Sequence, residues 1–330
     1  MIVSAFISKL QEDLSKRDGI DNLKALTEAS ILQYIKLVIN LHNKINGHDQ
    51  VKSLSFLKDI KKVEEVIGEN YKESTQRSIY NSLASILYPY KEQKGFKNAY
   101  EFYYSKGKEL NQKVDTQNKK GEKTDTQEEN WISWEEVLEK RNELHADVEK
   151  IKVKKLITEK EHETLLKNVV LSLYTYLPPR RNEYQNLLII PTNKELDEDK
   201  NYYVLDDKKI ILNIYKTSKK RGIMELDICE ELEEAINNYL QYHNLYKSNK
   251  KKKKDYEIPF LINRNNEPLT QVNSITRILN KVFKPKNIGA TMLRHIYDTH
   301  HFKEPLIKMQ EAADKMGHSV EMQQQYIKKD

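Results

Sequence analysis

The sequence has almost nothing with which to cross-link itself or to ligate a metal. It contains one cysteine, Cys229, which excludes an internal disulfide and any multi-cysteine zinc site and points to a reducing, intracellular setting. Glycine is scarce, with nine residues in all, and neither GxxxxGK[ST] nor GxGxxG occurs. No phosphate cradle for ATP or for a dinucleotide is therefore expected. There is no HExxH, no Cys/His cluster and no group of carboxylates of the kind that holds two metal ions. His300 and His301 are adjacent, but neighbours on a helix point in different directions, so they are not read as a metal pair. No run of eighteen apolar residues is present, and no membrane span is expected. The start, MIVSAFISKLQEDLSKRD, has no charged segment ahead of its short apolar stretch, so a signal peptide is not expected either. The expectation is a protein without metal, cofactor or membrane partner. Any chemistry it performs runs on side chains alone.

What the sequence does have is charge of both signs. Its 56 basic and 50 acidic residues leave a net charge of +6. That balance permits a polyanionic partner without demanding one. The densest basic stretch, KSNKKKKKD at 247–255, reads as a solvated loop, with a phosphate-contacting loop as the alternative.

Apolar spacing makes the first third helical. TEASILQYIKLVINLHNKING has apolar residues at Ile31, Ile35, Val38, Ile39 and Leu41, with Thr27 as N-cap and Asn46-Gly47 as a stop. SFLKDIKKVEEVIGEN and STQRSIYNSLASILYPY repeat the pattern, and Pro89 closes the second. The polar face of that last helix carries Thr75, Gln76, Arg77 and Asn81. These suit phosphate and base contacts in kind, although an ordinary wet helix face looks the same. NQKVDTQNKKGEKTDTQEEN (111–130) has no apolar periodicity and reads as a flexible linker. A new helix follows, seated by Trp131 and Trp134. Past Pro191, the runs NYYVLDD, KKIILNIYKTSKK and RGIMELDI are short and β-branched or aromatic, which predicts a small antiparallel sheet. Helices resume at CEELEEAINNYLQYH and again from Leu269. The expected class is mainly α with a small antiparallel sheet (α+β): a helical domain over 1–110, a linker over 111–130 and a larger domain over 131–330.

The second domain also carries, in order, Arg180-x-x-Glu183-x-x-x-Leu187, Lys216 in a turn between two strands, Arg294 in TMLRH, and His318 and Tyr326 in MGHSVEMQQQY. Singly these are weak signals. In this order, each in its own local context, they resemble the tyrosine recombinase family, the phage-integrase-like DNA strand-exchange enzymes. LPPRRNEYQNL stands where that family has TGLR-x-x-E-x-x-x-L, and Arg180 rather than Arg181 is in register. KTSKKR resembles the family's lysine turn, and TMLRH its HxLRH. The resemblance covers most of 131–330 by motif, and 21–100 only by architecture. Three features depart from it. Thr291 replaces the usual first histidine, Pro178-Pro179 replaces the Thr-Gly, and the His-to-Tyr spacing is one residue shorter than in common bacterial members.

The resemblance implies a helical core-binding domain and a catalytic domain that act on double-stranded DNA, with four subunits in the synaptic complex. It implies Arg180, Lys216, Arg294, His318 and Tyr326 as catalytic residues, with Glu183 and Thr291 in support. Thr75, Arg77, Asn81, Lys219 and Arg221 would contact DNA. The chemistry fits such residues. A phosphodiester is anionic and slow to react, and two permanently charged guanidinium forks neutralise it. A tyrosine nucleophile that becomes phosphodiester-linked conserves the energy of the broken bond, so rejoining needs no ATP. The other readings are a type IB-like topoisomerase and a DNA-binding relative without catalysis. The location would be wherever the target DNA lies.

Overall fold

The computed structural model of the chain describes residues 5–16, 25–192, 196–252 and 255–328. Two compact units divide it, Met1–Glu122 and Lys123–Asp330. The class is mainly α with a small mixed sheet.

Unit 1 is all helical among its described residues: α1 (Ala5–Ser15), α2 (Glu28–Asn46), α3 (Ile60–Asn70), α4 (Glu73–Leu87) and α5 (Phe96–Lys120). α2 starts and stops where the sequence places its caps. The Thr27 side chain accepts from the Ser30 N–H at 3.2 Å, and Gly47 follows its last residue with φ 77°. That left-handed conformation is open to glycine at little cost. One stripe of each helix is buried, including Val38 and Leu41 of α2, Val63 and Ile67 of α3 and Leu83 of α4. These stripes form a single core with Tyr103 of α5, whose hydroxyl donates to the Leu57 carbonyl at 2.8 Å.

The segment expected to be a linker is mostly helix. α5 runs on to Lys120, ends at left-handed Gly121, and α6 (Asp125–Asn130) follows at once behind a Thr124–Gln127 capping box. The unit boundary falls inside this stretch. Lack of an apolar stripe was the wrong criterion here: α5 is anchored upstream by Phe96, Tyr103 and Leu110, and a helix already nucleated extends into polar residues at small cost per residue.

Unit 2 is built around α8 (Glu159–Thr175), buried on nearly every side from Leu165 to Tyr174. α7 (Trp134–Ile151), α10 (Glu230–Leu240) and α12 (Ser274–Val282) pack against it. Capping boxes start α7 (Ser133 with Glu136) and α8 (Thr158 with Glu161). The sheet has five strands in the order β4-β3-β2-β1-β5: β1 (Leu187–Ile190), β2 (Asn201–Val204), β3 (Lys209–Leu212), β4 (Met224–Asp227) and β5 (Ile258–Pro259). The expected three-stranded antiparallel sheet is β2-β3-β4. It is extended by β1, which runs parallel to β2, and by β5, antiparallel to β1. The sheet is therefore mixed. A single helical turn, α9 (Ser218–Arg221), interrupts the β3–β4 connection. The lysine-rich stretch, read as a loop, is instead α11 (Asn244–Lys252) for most of its length, with Lys253 and Lys254 outside the described residues. The chain ends in α13 (Ala290–Met316) and α14 (Val320–Tyr326). Trp134 seats the start of α13 on α7 through ring contacts with Tyr297, His300 and His301.

Candidate active site

The end of α8 delivers the first candidate. After Leu177 the Pro178-Pro179 pair stops the helix, because proline cannot continue it, and Arg180 lies in the extended chain ahead of a 3-10 turn over Glu183–Asn186. Polar side chains in this turn lock it in place. Gln185 donates to the carbonyls of Leu269 (2.7 Å) and Gln271 (2.8 Å) and accepts from the Ser274 N–H at 3.1 Å. Asn182 donates to the side chain of Asn273 at 3.1 Å. The Arg180 turn is thus fixed to the start of α12. From beneath, the Tyr174 hydroxyl donates to the Arg181 carbonyl.

The second group of candidates comes from the β3–β4 connection. Buried Tyr215 closes this loop by donating from its hydroxyl to the Gly222 carbonyl at 2.7 Å. The Arg180 guanidinium lies 5.1 Å from the centroid of the same ring. Lys216 and Lys219 are exposed on the loop, as are Thr217 and Arg221. The third candidate, Arg294, comes one turn into α13 and is half-buried.

Together these elements wall a cleft of about 350 Å³ lined by Arg180, Arg221, Arg294, Glu183, Tyr215 and Met224, among others. Its charge balance is unusual. None of the four arginines that line it, Arg181 included, has a carboxylate within ion-pair distance among the described residues. Arg180 has one hydrogen-bond partner there, the Met224 sulfur at 2.7 Å from Nη1, and its Nε is enclosed with none. One Glu183 carboxylate oxygen is likewise enclosed without a partner. Below the cleft, burial holds the Tyr174 phenol well above its ordinary pKa; Tyr184 and Glu183 push the same way, and Arg180 and Arg294 oppose them. Burial also raises Tyr184, whose hydroxyl has no partner among the described residues. Both tyrosines form a neutral floor, packed edge to face at 5.5 Å.

The sequence-predicted residues fall into two groups. Arg180, Arg294 and Glu183 share the cleft with Arg181 and Arg221; Lys216, between lining residues Tyr215 and Thr217 in the chain, is exposed and does not itself line it. Thr291, on the turn before Arg294, is exposed, and its side chain makes no hydrogen bond among the described residues. His318 and Tyr326 form the other group. Their rings are 5.5 Å apart at 42°, and neither lines the cleft. They ride on the end of α13 and on α14, where every residue from Asp298 to Lys308 is exposed and Tyr326 is 60% exposed. α13 carries them there as one unbroken helix with Pro305 inside it.

In unit 1, Thr75 and Asn81 are exposed on α4 and Arg77 is half-buried. Asn81 is engaged within the unit: its amide exchanges hydrogen bonds with that of Asn111 at 3.2 Å. Gln76 donates to the Tyr71 carbonyl at 2.7 Å. These two polar groups serve the packing of unit 1. Sequence reasoning missed Tyr215, Met224 and Gln185, since nothing local marks a residue whose partner lies far along the chain.

Among the described residues no three His, Cys, Asp or Glu are grouped to hold a metal ion, and no helix is long and apolar enough to cross a membrane. Comparison of the chain with family models, with curated proteins and with solved structures gives no match.

Proposed function

We propose that the chain is a DNA strand-cleaving and rejoining enzyme of the tyrosine-recombinase kind, a site-specific recombinase or integrase. The observation that carries this reading is the cleft in which four arginines, Arg180, Arg181, Arg221 and Arg294, converge around a single carboxylate, Glu183, that is ion-paired with none of them among the described residues, with a thioether as the one acceptor found there for Arg180. Unpaired guanidinium groups at close quarters are costly unless an anion joins them. A phosphodiester supplies the flat pairs of oxygens that such forks bind.

In this reading Arg180 and Arg294 hold the non-bridging oxygens of the scissile phosphate. They bind harder as charge grows on those oxygens in the transition state. The Tyr326 oxygen attacks phosphorus and passes its proton to water as it does so, because a phenol is mostly protonated at neutral pH. The bond from phosphorus to the 5′ oxygen breaks, and Lys216 gives that oxygen a proton. His318 and Thr291 donate hydrogen bonds to the phosphate. Glu183 lines the cleft beside Arg180, while Gln185 and Asn182 hold the Arg180 turn in place. Rejoining is the same sequence reversed, with a 5′ hydroxyl attacking the phosphotyrosine. Since His318 and Tyr326 do not line the cleft, cleavage requires the α13–α14 end to be carried to it. The exposed run around Pro305 is where such a bend is cheapest, because the proline already removes one helical hydrogen bond.

A nicked suicide duplex tests the proposal. Trapping a covalent protein–DNA adduct supports it. Binding without any adduct, across substrates derived from the DNA flanking the gene, leaves a DNA-binding protein without catalysis. Relaxation of supercoiled DNA by a monomer, without pairing of sites, instead identifies a topoisomerase.

A further inference from the structure

A second cationic cleft lies on unit 2 and shares no lining residue with the arginine cleft. Three stretches distant in sequence build it. The α7–α8 loop gives Lys155, the first turn of α8 gives His162, the start of α11 gives Asn244 and Lys247, and the turn after β5 gives Arg264.

Its walls are fixed by hydrogen bonds. Tyr242 ties the α7–α8 loop down by donating to the carbonyls of Ile151 at 2.7 Å and Lys154 at 2.8 Å. The turn that presents Arg264 is closed by the Asn263 side chain, whose carbonyl accepts from the N–H groups of Asn265 (2.9 Å) and Glu267 (3.0 Å).

The charges are distributed unevenly. Neighbouring lysines on the same loop are paired, Lys152 with Glu149 and Glu234, and Lys154 with Glu161. Lys155, Lys247 and Arg264 have no ion pair or side-chain hydrogen bond among the described residues, and no carboxylate lines the cleft. His162 lines the cleft at 7% exposure, and its ring, which has no side-chain hydrogen bond among the described residues, is not sealed from solvent. A ring nitrogen at the base of an open cleft is completed by water or by a ligand that displaces it.

The cavity measures about 150 Å³, room for about five waters at roughly 30 Å³ each. That suits one tetrahedral oxyanion with some water and is too small to enclose a nucleoside. We infer that this cleft is a phosphate-binding site, with Lys155, Lys247 and Arg264 supplying charge and His162 a hydrogen bond from the floor. The phosphate is either one of a nucleic acid backbone or a free ion. This assignment stands apart from the reading of the arginine cleft, since a binding site here needs neither Tyr326 nor cleavage.

The experiment has two arms, each on the full chain and on the Lys247→Gln/Arg264→Gln variant, both exposed positions. In the first, imidazole nitrogens are followed by NMR while inorganic phosphate is added. Burial, together with the Arg264 charge, holds the His162 pKa below its usual value, so a bound anion should raise it in a saturable way. The variant should need at least tenfold more phosphate. In the second arm, duplex affinity is measured against salt. Each lost phosphate contact lowers the slope by roughly 0.9, so the variant should fall by roughly one to two. A response in the first arm alone assigns a free phosphate ion; a response in the second, with or without the first, assigns a DNA backbone phosphate. Unchanged behaviour in both arms overturns the site.

Discussion

The Nη1 atom of Arg180 sits 2.7 Å from the sulfur of Met224, an approach that joins the end of α8 to the first residue of β4. A thioether is a weak acceptor and carries no charge. It orients the guanidinium without satisfying it, which leaves the group ready for a stronger acceptor. Met224→Leu should therefore leave cleavage within about threefold, whereas Arg180→Lys keeps the charge but loses the planar fork. Losing such an oriented donor typically costs about 10²–10³ in rate. Single-turnover cleavage of a suicide duplex measures both. An Arg180→Lys enzyme at the wild-type rate would remove Arg180 from the phosphate.

Tyr326→Phe deletes one oxygen from a side chain that is already 60% exposed, so it should leave the fold and duplex affinity nearly unchanged and abolish the covalent adduct. An adduct that persists in this variant assigns the nucleophile to another residue.

Thr291 stands exposed one turn before Arg294, with its hydroxyl free to meet a phosphate oxygen. Thr291→Val keeps the shape and removes about 1–3 kcal/mol of hydrogen bonding, or roughly one to two decades in cleavage rate. Thr291→His should be tolerated. Wild-type cleavage by the valine variant would make Thr291 a helix-surface residue with no part in the reaction.

Gly289 precedes α13 where that helix passes close to α12. A Cβ placed there would stand 2.6 Å from the Thr276 methyl group. Gly289→Ala must displace the Thr276 side chain or the helix that carries it, and overpacking of this kind costs about 1–3 kcal/mol. Because Arg294 rides on α13, the same shift should slow cleavage more than it weakens duplex binding. Denaturant unfolding and single-turnover kinetics check the two effects. Gly289→Ala combined with Thr276→Ser removes the obstructing methyl and should recover most of both.

His243 is fully buried, and burial pushes its pKa down to about 4. Its Nδ1 accepts from the Tyr246 N–H at 3.1 Å, so the neutral ring donates from Nε2 to the Pro259 carbonyl at 3.0 Å. The folded chain binds this proton less readily than the unfolded one. The stabilisation is whole above the unfolded value near 6.5 and is lost as pH falls from there toward 4, at about 1 kcal/mol per unit. His145 and His162, also lowered by burial, act in the same direction. Urea unfolding between pH 7 and 5 should show the decline. His243→Gln should be less stable at pH 7 and show a shallower decline; an equally steep one would place the effect elsewhere.

Much of the fold is written locally. Thr27, Gly47 and the apolar stripes of α2, α3 and α4 stand in the sequence as they stand in the structure, because a capped amphipathic helix needs only its own residues and one face to bury. β2, β3 and β4 were legible for the same reason, as short β-branched runs between turn residues. β1 and β5 were not. Leu187–Ile190 is four apolar residues with no alternation, and Ile258–Pro259 is two residues long. Such segments become strands only through the partner they find, and the parallel pairing of β1 with β2 made the sheet mixed.

The candidate site divides in the same way. The sequence alone supplied the order of its motifs and the identity of Arg180, Lys216, Arg294, His318 and Tyr326. Only the tertiary structure decided that Arg180, Arg181, Arg221 and Arg294 line one cleft, that Arg180 and Arg294 lie near buried Tyr174, and that Met224 rather than a carboxylate is the hydrogen-bond partner of Arg180. It also decided that His318 and Tyr326 pair with each other outside that cleft. A motif fixes which chemical groups a chain owns. Which of them come within reach depends on how α8, the β3–β4 loop and α13 pack, and that packing is settled by buried contacts between residues far apart in the chain.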